Sequence, residues 1–413
     1  MKYLIVIGDG MADNPVPALG GKTPLETAKK PAMDELAQKG ELGTVRTVPE
    51  GVPPGSDTAI LSIFGYDPRQ FFTGRSPLEA AGSGVTLEDG DISYRCNMIT
   101  LEDGDKPLAE RKILSHSGGS VHGEDALALM GALLADERFA AVLKKQGITI
   151  HPTPTFRHIT VQKGADITGL VAAEPHQHLG EPVGPLLPAG APVAAGLAEL
   201  MEIAPTVLDH HPVNERRRAE GKLPANGIWF WAEGRAVALP DFKAAHGGKS
   251  GMVVSAVPLV QGIARLAGLD VTEVEGATGE LDTNYEGKAN AILKAFADGY
   301  EFALVHVESP DECTHNGDTP GKLQAIEWVD SRTLVRLRAG LDKAGEPWRL
   351  LLLSDHKTLT ATRGHDGDPV PYLIYDSRQT APGSGLAYTE ANAEKGPHIE
   401  IGSTLINHLF EEK

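Results

Sequence analysis

Tyr3-Leu4-Ile5-Val6-Ile7-Gly8-Asp9-Gly10 sets an apolar run directly before a carboxylate flanked by glycines, and the same arrangement recurs twice. Phe302-Ala303-Leu304-Val305-His306-Val307 leads into Glu308-Ser309-Pro310-Asp311, with His315 following. Leu350-Leu351-Leu352-Leu353 leads into Ser354-Asp355-His356, with His365 shortly after. Short unbroken apolar runs read as strands buried on both faces, and in an open α/β sheet ligands gather beyond the carboxyl ends of such strands. Carboxylates and imidazoles brought together there suit divalent cations, whereas unpaired carboxylates in a dry core would be too costly to desolvate.

Working outward, Pro24 to Lys39 carries helix formers up to Gly40, and Pro31 marks a second start for that helix. A Pro/Gly loop, Pro49 to Gly55, runs into Ser56 and a helical stretch to Phe64. Ser56 therefore stands near a helix N-terminus, where unpaired N–H groups favour negative charge. As a lone serine it reads equally well as an N-cap or as a nucleophile. Met252 to Val257 and Arg349 to Leu353 read as strands; Leu259 to Leu266, Tyr285 to Ala297 and Lys322 to Leu341 read as helices. This alternation predicts a doubly wound, mostly parallel sheet. Residues 82–225 differ in texture, with polar strand-like pieces, a long helix over Gly123 to Lys145 and many prolines. The expected organisation is a discontinuous α/β core, 1–81 with 226–413, carrying a smaller inserted α+β domain, 82–225.

Composition narrows the function. A net charge of −18 over 413 residues argues against a nucleic-acid partner but leaves room for a small anionic substrate. The 41% hydrophobic and 23% charged fractions are those of a soluble globular chain. Two cysteines far apart, Cys96 and Cys313, suit a reducing cytoplasm. No apolar window approaches a membrane span, so neither membrane nor signal peptide is expected. Asp311 and His315, spaced i, i+4, share one helix face. Asp355 and His356 are neighbours able to turn to different ions. With Asp9 and His365 the set exceeds what one four-coordinate ion needs and fits two. A serine beside two cations suggests phosphoryl transfer. Cys313 reads as a packed thiol, and His210-His211 as a loop feature without a strand behind it.

The motifs together resemble the archaeal type of cofactor-independent phosphoglycerate mutase, in the alkaline phosphatase superfamily. The resemblance rests on Gly8 to Asp13, Pro54 to Ala59, Gly65 to Pro68, Gly74 to Ala80, Tyr94 to Asn97, Val274 to Gly279, Asp282 to Tyr285 and Asp368 to Pro371. It implies an alkaline-phosphatase-like α/β fold and a phosphoserine formed at Ser56. It further implies one ion held by Asp9, Ser56, Asp355 and His356, and another held by Asp311, His315 and His365. Manganese is the first expectation for both, with zinc, cobalt and magnesium as the others. Lys249 takes the place of a lysine neutralising the transferring phosphoryl group, and Arg157, His176 and Arg235 are candidates for the substrate's anionic groups. Ala172-Ala173-Glu174-Pro175-His176 and Arg363-Gly364-His365 depart from the commoner pattern. Leu208 to Asn214 and Ala219 to Lys222 resemble a bacterial branch proposed to phosphorylate homoserine. The expected reaction is interconversion of 3- and 2-phosphoglycerate. The alternatives are that branch's phosphotransfer, a related metal-dependent phosphomutase or phosphatase, and a catalytically idle metal-binding protein.

Overall fold

Strand Lys2–Gly8 is buried along its whole length, as the middle strand of a sheet covered on both faces must be. It pairs in parallel with Phe302–Val307 on one side and Trp348–Leu353 on the other. Gly8 lies opposite Val307, and Ile7 opposite Leu353, so the three strands end in step. The segments carrying Asp9 and Asp355, and helix Ser309–His315 carrying Asp311, consequently leave from one edge. This register positions the site.

The structure is a computed structural model that describes residues 1–411. Two compact units divide the chain, Met1–Phe72 with the part from Ala238 onward, and Thr73–Val237. The first unit holds an eight-stranded sheet in the order His398–Ile399, Glu41–Val45, Val370–Asp376, Trp348–Leu353, Lys2–Gly8, Phe302–Val307, Gly251–Val254, Asp270–Val271. Val370–Asp376 runs antiparallel to both neighbours; the other pairings are parallel. The mostly parallel α/β sheet is therefore as the sequence predicts.

The second unit is α+β. Its five-stranded antiparallel sheet is built on Ile92–Leu101, which pairs with Ile113–Ser115, Arg157–Gln162 and Gly227–Arg235, while Ile148–His151 pairs with Arg157–Gln162. The unit boundaries fall at 72/73 and 237/238 instead of the expected 81/82 and 225/226. Side chains of helix Arg75–Gly82 account for the first shift. Ser76 shares a 2.7 Å hydrogen bond with Ser93, and Glu79 accepts from the buried Arg95 guanidinium. Gly227–Arg235 accounts for the second, because it is a strand of this sheet. The expected helix over Gly123 to Lys145 is two helices, Gly123–Ala135 and Glu137–Gln146, broken where the Asp136 carboxylate accepts the N–H groups of Arg138 and Phe139. A capping aspartate ends one helix and starts the next.

The stretch expected as one helix from Lys322 to Leu341 is helical throughout but carries a π-helical turn, Val329–Leu334, between Thr319–Trp328 and Val335–Ala344. Asp330 in this turn is buried, and its carboxylate accepts the N–H groups of Met33 at 2.7 Å and Ala32 at 3.3 Å. Helix Pro31–Lys39 has no side-chain cap from Lys30, its own N-cap residue. Asp330 supplies one from across the sequence. Asp330→Ala should therefore leave two buried donors unpaired and lower stability by about 1–3 kcal/mol in denaturant unfolding. Asp298→Ala, at an exposed helix end, should change it by about 0.5 kcal/mol or less.

Candidate metal centre

Each carboxylate at the sheet edge has one oxygen committed to a donor. Asp355 Oδ1 accepts Gly10 N–H at 3.2 Å, Asp9 Oδ2 lies 2.9 Å from His306 Nε2, and Asp311 Oδ1 accepts the Thr358 hydroxyl at 2.6 Å. Gly10 must be glycine for this. Its φ is +60°, and a Cβ there would come within 2.4 Å of Thr358 Oγ1 and 2.9 Å of Asp311 Oδ1.

The second oxygens of two of them are different. Asp9 Oδ1 and Asp355 Oδ2 are buried without a hydrogen-bond partner, although Asp9 and Asp355 are only 1% and 0% exposed. Between them stands His356, whose Nε2 is 3.6 Å from the first and 3.3 Å from the second. His356 Nδ1 faces the Lys357 carbonyl at 3.3 Å, so its proton belongs there and Nε2 presents a lone pair. Three acceptors facing one another repel unless a cation lies among them. This donor set fits a divalent ion.

A second group adjoins it. His315 Nε2 lies 3.1 Å from Asp311 Oδ2 and 3.0 Å from His365 Nε2, which is itself 3.4 Å from Asp311 Oδ1. His315 Nδ1 donates to the Arg363 carbonyl at 2.7 Å. Arg363 holds a left-handed φ of +56°, and Gly364 after it is where this segment departs from the commoner pattern. Ligating atoms cluster in two sets among the described residues, Asp9 with Asp355 and His356, and Asp311 with His356 and His365. His356 thus borders both.

Ser56 is the first residue of helix Ser56–Ile63, and Gly55 occupies the cap position. The reading of Ser56 as an N-cap is therefore set aside. Its hydroxyl lies 3.4 Å from Asp9 Oδ2 and 3.2 Å from His356 Nε2. Cys313 is a buried free thiol outside both sets. His211 caps helix Pro212–Ala219, and His210 pairs with Glu215 at 3.4 Å.

Lys249 does not join the site, which corrects its expected role. It precedes strand Gly251–Val254, whose Gly251 aligns with Phe302 and so with Tyr3, at the amino edge of the sheet. Its ammonium lies 5.4 Å from the Tyr3 ring centre and 5.2 Å from that of Phe410. Asp9 is about 20 Å farther along the strand direction. Among the expected substrate residues, Arg157 and His176 come together in the second unit around His116. Arg157 stacks over Phe156 at 5.0 Å, and His116 lies 6.1 Å from both Phe156 and His176. Arg235 stands apart from them. It pairs with Ile92 at one end of the sheet while Arg157 pairs with Asn97, about 17 Å away along the strand.

Buried polar groups around the centre carry little signal in the sequence. His306, 0% exposed, is pushed down to about 4 by burial and is neutral. Lys288 donates to the His306 carbonyl at 3.2 Å, and burial lowers it to about 8. Lys322 pairs with Asp13 at 2.9 Å beneath Thr358, whose carbonyl it also meets at 2.6 Å. The only signal available was polarity inside apolar strands or helices.

The charges respond to this crowding. Burial, then the charges of Asp355, Asp311 and Glu308, hold Asp9 well above the ordinary carboxylate value. Burial pushes Asp311 up as well, but hydrogen bonds from His315 and His365 outweigh it and hold the carboxyl well below that value. His315 is raised to about 9, chiefly by its hydrogen bond to Asp311. In chelator-treated protein the His315–Asp311 contribution to stability should be complete below about pH 6.5 and disappear as pH rises through about 9. Thermal unfolding of the parent and of His315→Ala should therefore differ at pH 6 and converge by pH 10.

The family model for 2,3-bisphosphoglycerate-independent phosphoglycerate mutase matches residues 37–214. A mutase of that name from Methanosarcina barkeri is 41% identical over 414 residues, covering 100% of both chains. Another from Methanothrix thermoacetophila is 42% identical, covering 99% of this chain and 100% of its own. A solved protein from Pyrococcus horikoshii superposes with TM-score 0.77 at 31% identity, covering 100% of this chain and 98% of its own. The cofactor-independent phosphoglycerate mutase of Thermoplasma acidophilum shares the fold, with TM-score 0.62 at 24% identity over 99% and 98% of the two chains. This chain belongs to the 2,3-bisphosphoglycerate-independent phosphoglycerate mutase family.

Proposed function

We propose that the protein interconverts 3-phosphoglycerate and 2-phosphoglycerate through a phosphoserine at Ser56, without a bisphosphoglycerate cofactor. The observation that carries this is the Ser56 hydroxyl, placed 3.4 Å from Asp9 and 3.2 Å from His356 at a helix N-terminus. The named full-length relatives favour this reaction over homoserine phosphorylation.

In this reading Asp9, Ser56, Asp355 and His356 would hold one divalent ion, and Asp311, His315 and His365 a second. Manganese is the first choice. Bound there, such ions supply positive charge that makes the serine hydroxyl more acidic and offsets charge on the phosphoryl oxygens. Ser56 Oγ loses its proton and forms the new O–P bond, while the bond between phosphorus and the C3 oxygen of glycerate breaks and that oxygen takes up a proton. Return to the C2 oxygen reverses these changes. The helix N-terminus at Ser56 favours the negative charge of the phosphoserine. Arg157 and His176 are proposed to hold anionic groups of the substrate, and Arg235 is not carried forward. The free, buried cysteines suit a reducing cytoplasm. No helix among the described residues is long and apolar enough to cross a membrane.

Chelation should abolish conversion of 3-phosphoglycerate, and Mn²⁺ should restore it. Full turnover in verified metal-free protein would contradict the reading. Ser56→Ala should fold, still bind metal and lose turnover by on the order of 10³-fold or more. Mass spectrometry of substrate-treated parent should place the added phosphate on Ser56, and phosphate trapped only elsewhere would reject the assignment. Metal-loaded protein given 3-phosphoglycerate without ATP should form 2-phosphoglycerate. Release of inorganic phosphate alone, or product only from ATP with homoserine, would assign it another activity.

A further inference from the structure

Strand Phe302–Val307 contains a single polar side chain, His306, among Phe302, Ala303, Leu304, Val305 and Val307. An imidazole that is 0% exposed inside a doubly covered sheet is costly unless both nitrogens are satisfied. Both are. Nδ1 lies 3.1 Å from Ser255 Oγ, and Nε2 lies 2.9 Å from Asp9 Oδ2.

The direction of these bonds follows from their neighbours. Asp9 Oδ2 is a carboxylate oxygen and accepts from Nε2, so Nδ1 accepts the Ser255 hydroxyl, whose oxygen also takes the N–H of Val257 at 3.0 Å. A ring nitrogen that accepts carries no proton, so in the neutral ring the proton sits on Nε2 and is donated to Asp9. The scaffold behind is held as well. Gln261 donates to the Ser255 carbonyl at 2.8 Å, and Lys288 to the His306 carbonyl at 3.2 Å.

We propose that His306 is a positioning residue for the metal centre. The ordered chain from Val257 N–H through Ser255 and His306 ties down Asp9 Oδ2. It thereby turns Oδ1, the oxygen without a partner, toward the cation position it shares with Asp355 and His356. His306 touches neither ion nor substrate in this scheme, and it acts through Asp9. The inference rests on the reading of this edge as a metal centre.

Two amides of different reach separate orientation from bulk. His306→Asn places its amide near the former Nδ1 and keeps Ser255, but falls short of Asp9. His306→Gln extends an N–H toward the former Nε2 position. Mn²⁺ titrated into the metal-free full chain, followed by calorimetry, gives the affinity of the Asp9 site. Thermal unfolding in chelator reports on folding alone. The Asn variant should lose about 10–100-fold in Mn²⁺ affinity, and the Gln variant should stay within a few-fold of the parent. Parent-like binding by the Asn variant, or equal losses in both, would overturn the proposal. A parent that binds no Mn²⁺ would instead overturn the metal-centre reading beneath it.

Discussion

Like charges crowded into a dry space are the constraint on which this structure turns. Asp9 and Asp355 stand at the carboxyl edge of a parallel sheet, almost wholly buried, each with an oxygen that no protein donor satisfies. Isolated, such groups would cost several kcal/mol each in desolvation. Gly10 N–H, His306 and Thr358 each tie down one oxygen of one carboxylate. What remains is a set of acceptors converging with the imidazoles of His356, His315 and His365. A divalent cation among them relieves that arrangement, and without one the crowding holds Asp9 well above the ordinary carboxylate value. Ser56 stands beside this set, its hydroxyl 3.4 Å from Asp9 Oδ2 and 3.2 Å from His356 Nε2, which is the placement the proposed phosphoryl transfer uses.

The sheet that makes this crowding available was legible where its strands are parallel and central. Lys2–Gly8, Phe302–Val307 and Trp348–Leu353 are buried on both faces, so selection for burial leaves unbroken apolar runs that announce themselves. Glu41–Val45 and Val370–Asp376 were not read as strands. The first is short and contains Gly43, where a Cβ would meet the Pro397 carbonyl oxygen at 2.3 Å. The second carries Pro371, a residue that argues against a strand in sequence. Tertiary packing overrides local pattern at both places.

The candidate site divides along the same line. Asp9, Asp311 and Asp355 follow strand ends, so topology alone gathers them. Lys249 misled because proximity to a strand in sequence does not tell which end of that strand it occupies; the parallel register puts it at the far edge. His306 escaped notice for the opposite reason, since one histidine in an apolar run resembles a core residue until its two partners are seen. In the second unit, Arg157 and His176 meet around His116, whereas Arg235 lies at the other end of the same strands. Antiparallel pairing decides that, and no spacing in the sequence encodes it.

The most direct test of the central claim is anomalous diffraction from crystals of the full chain grown with Mn²⁺. The account predicts two manganese peaks at the sheet edge, one contacted by Asp9, Asp355 and His356 together with Ser56, the other by Asp311, His315 and His365. Manganese bound only away from this edge, or an edge that stays free of it at saturating concentration, would contradict the account.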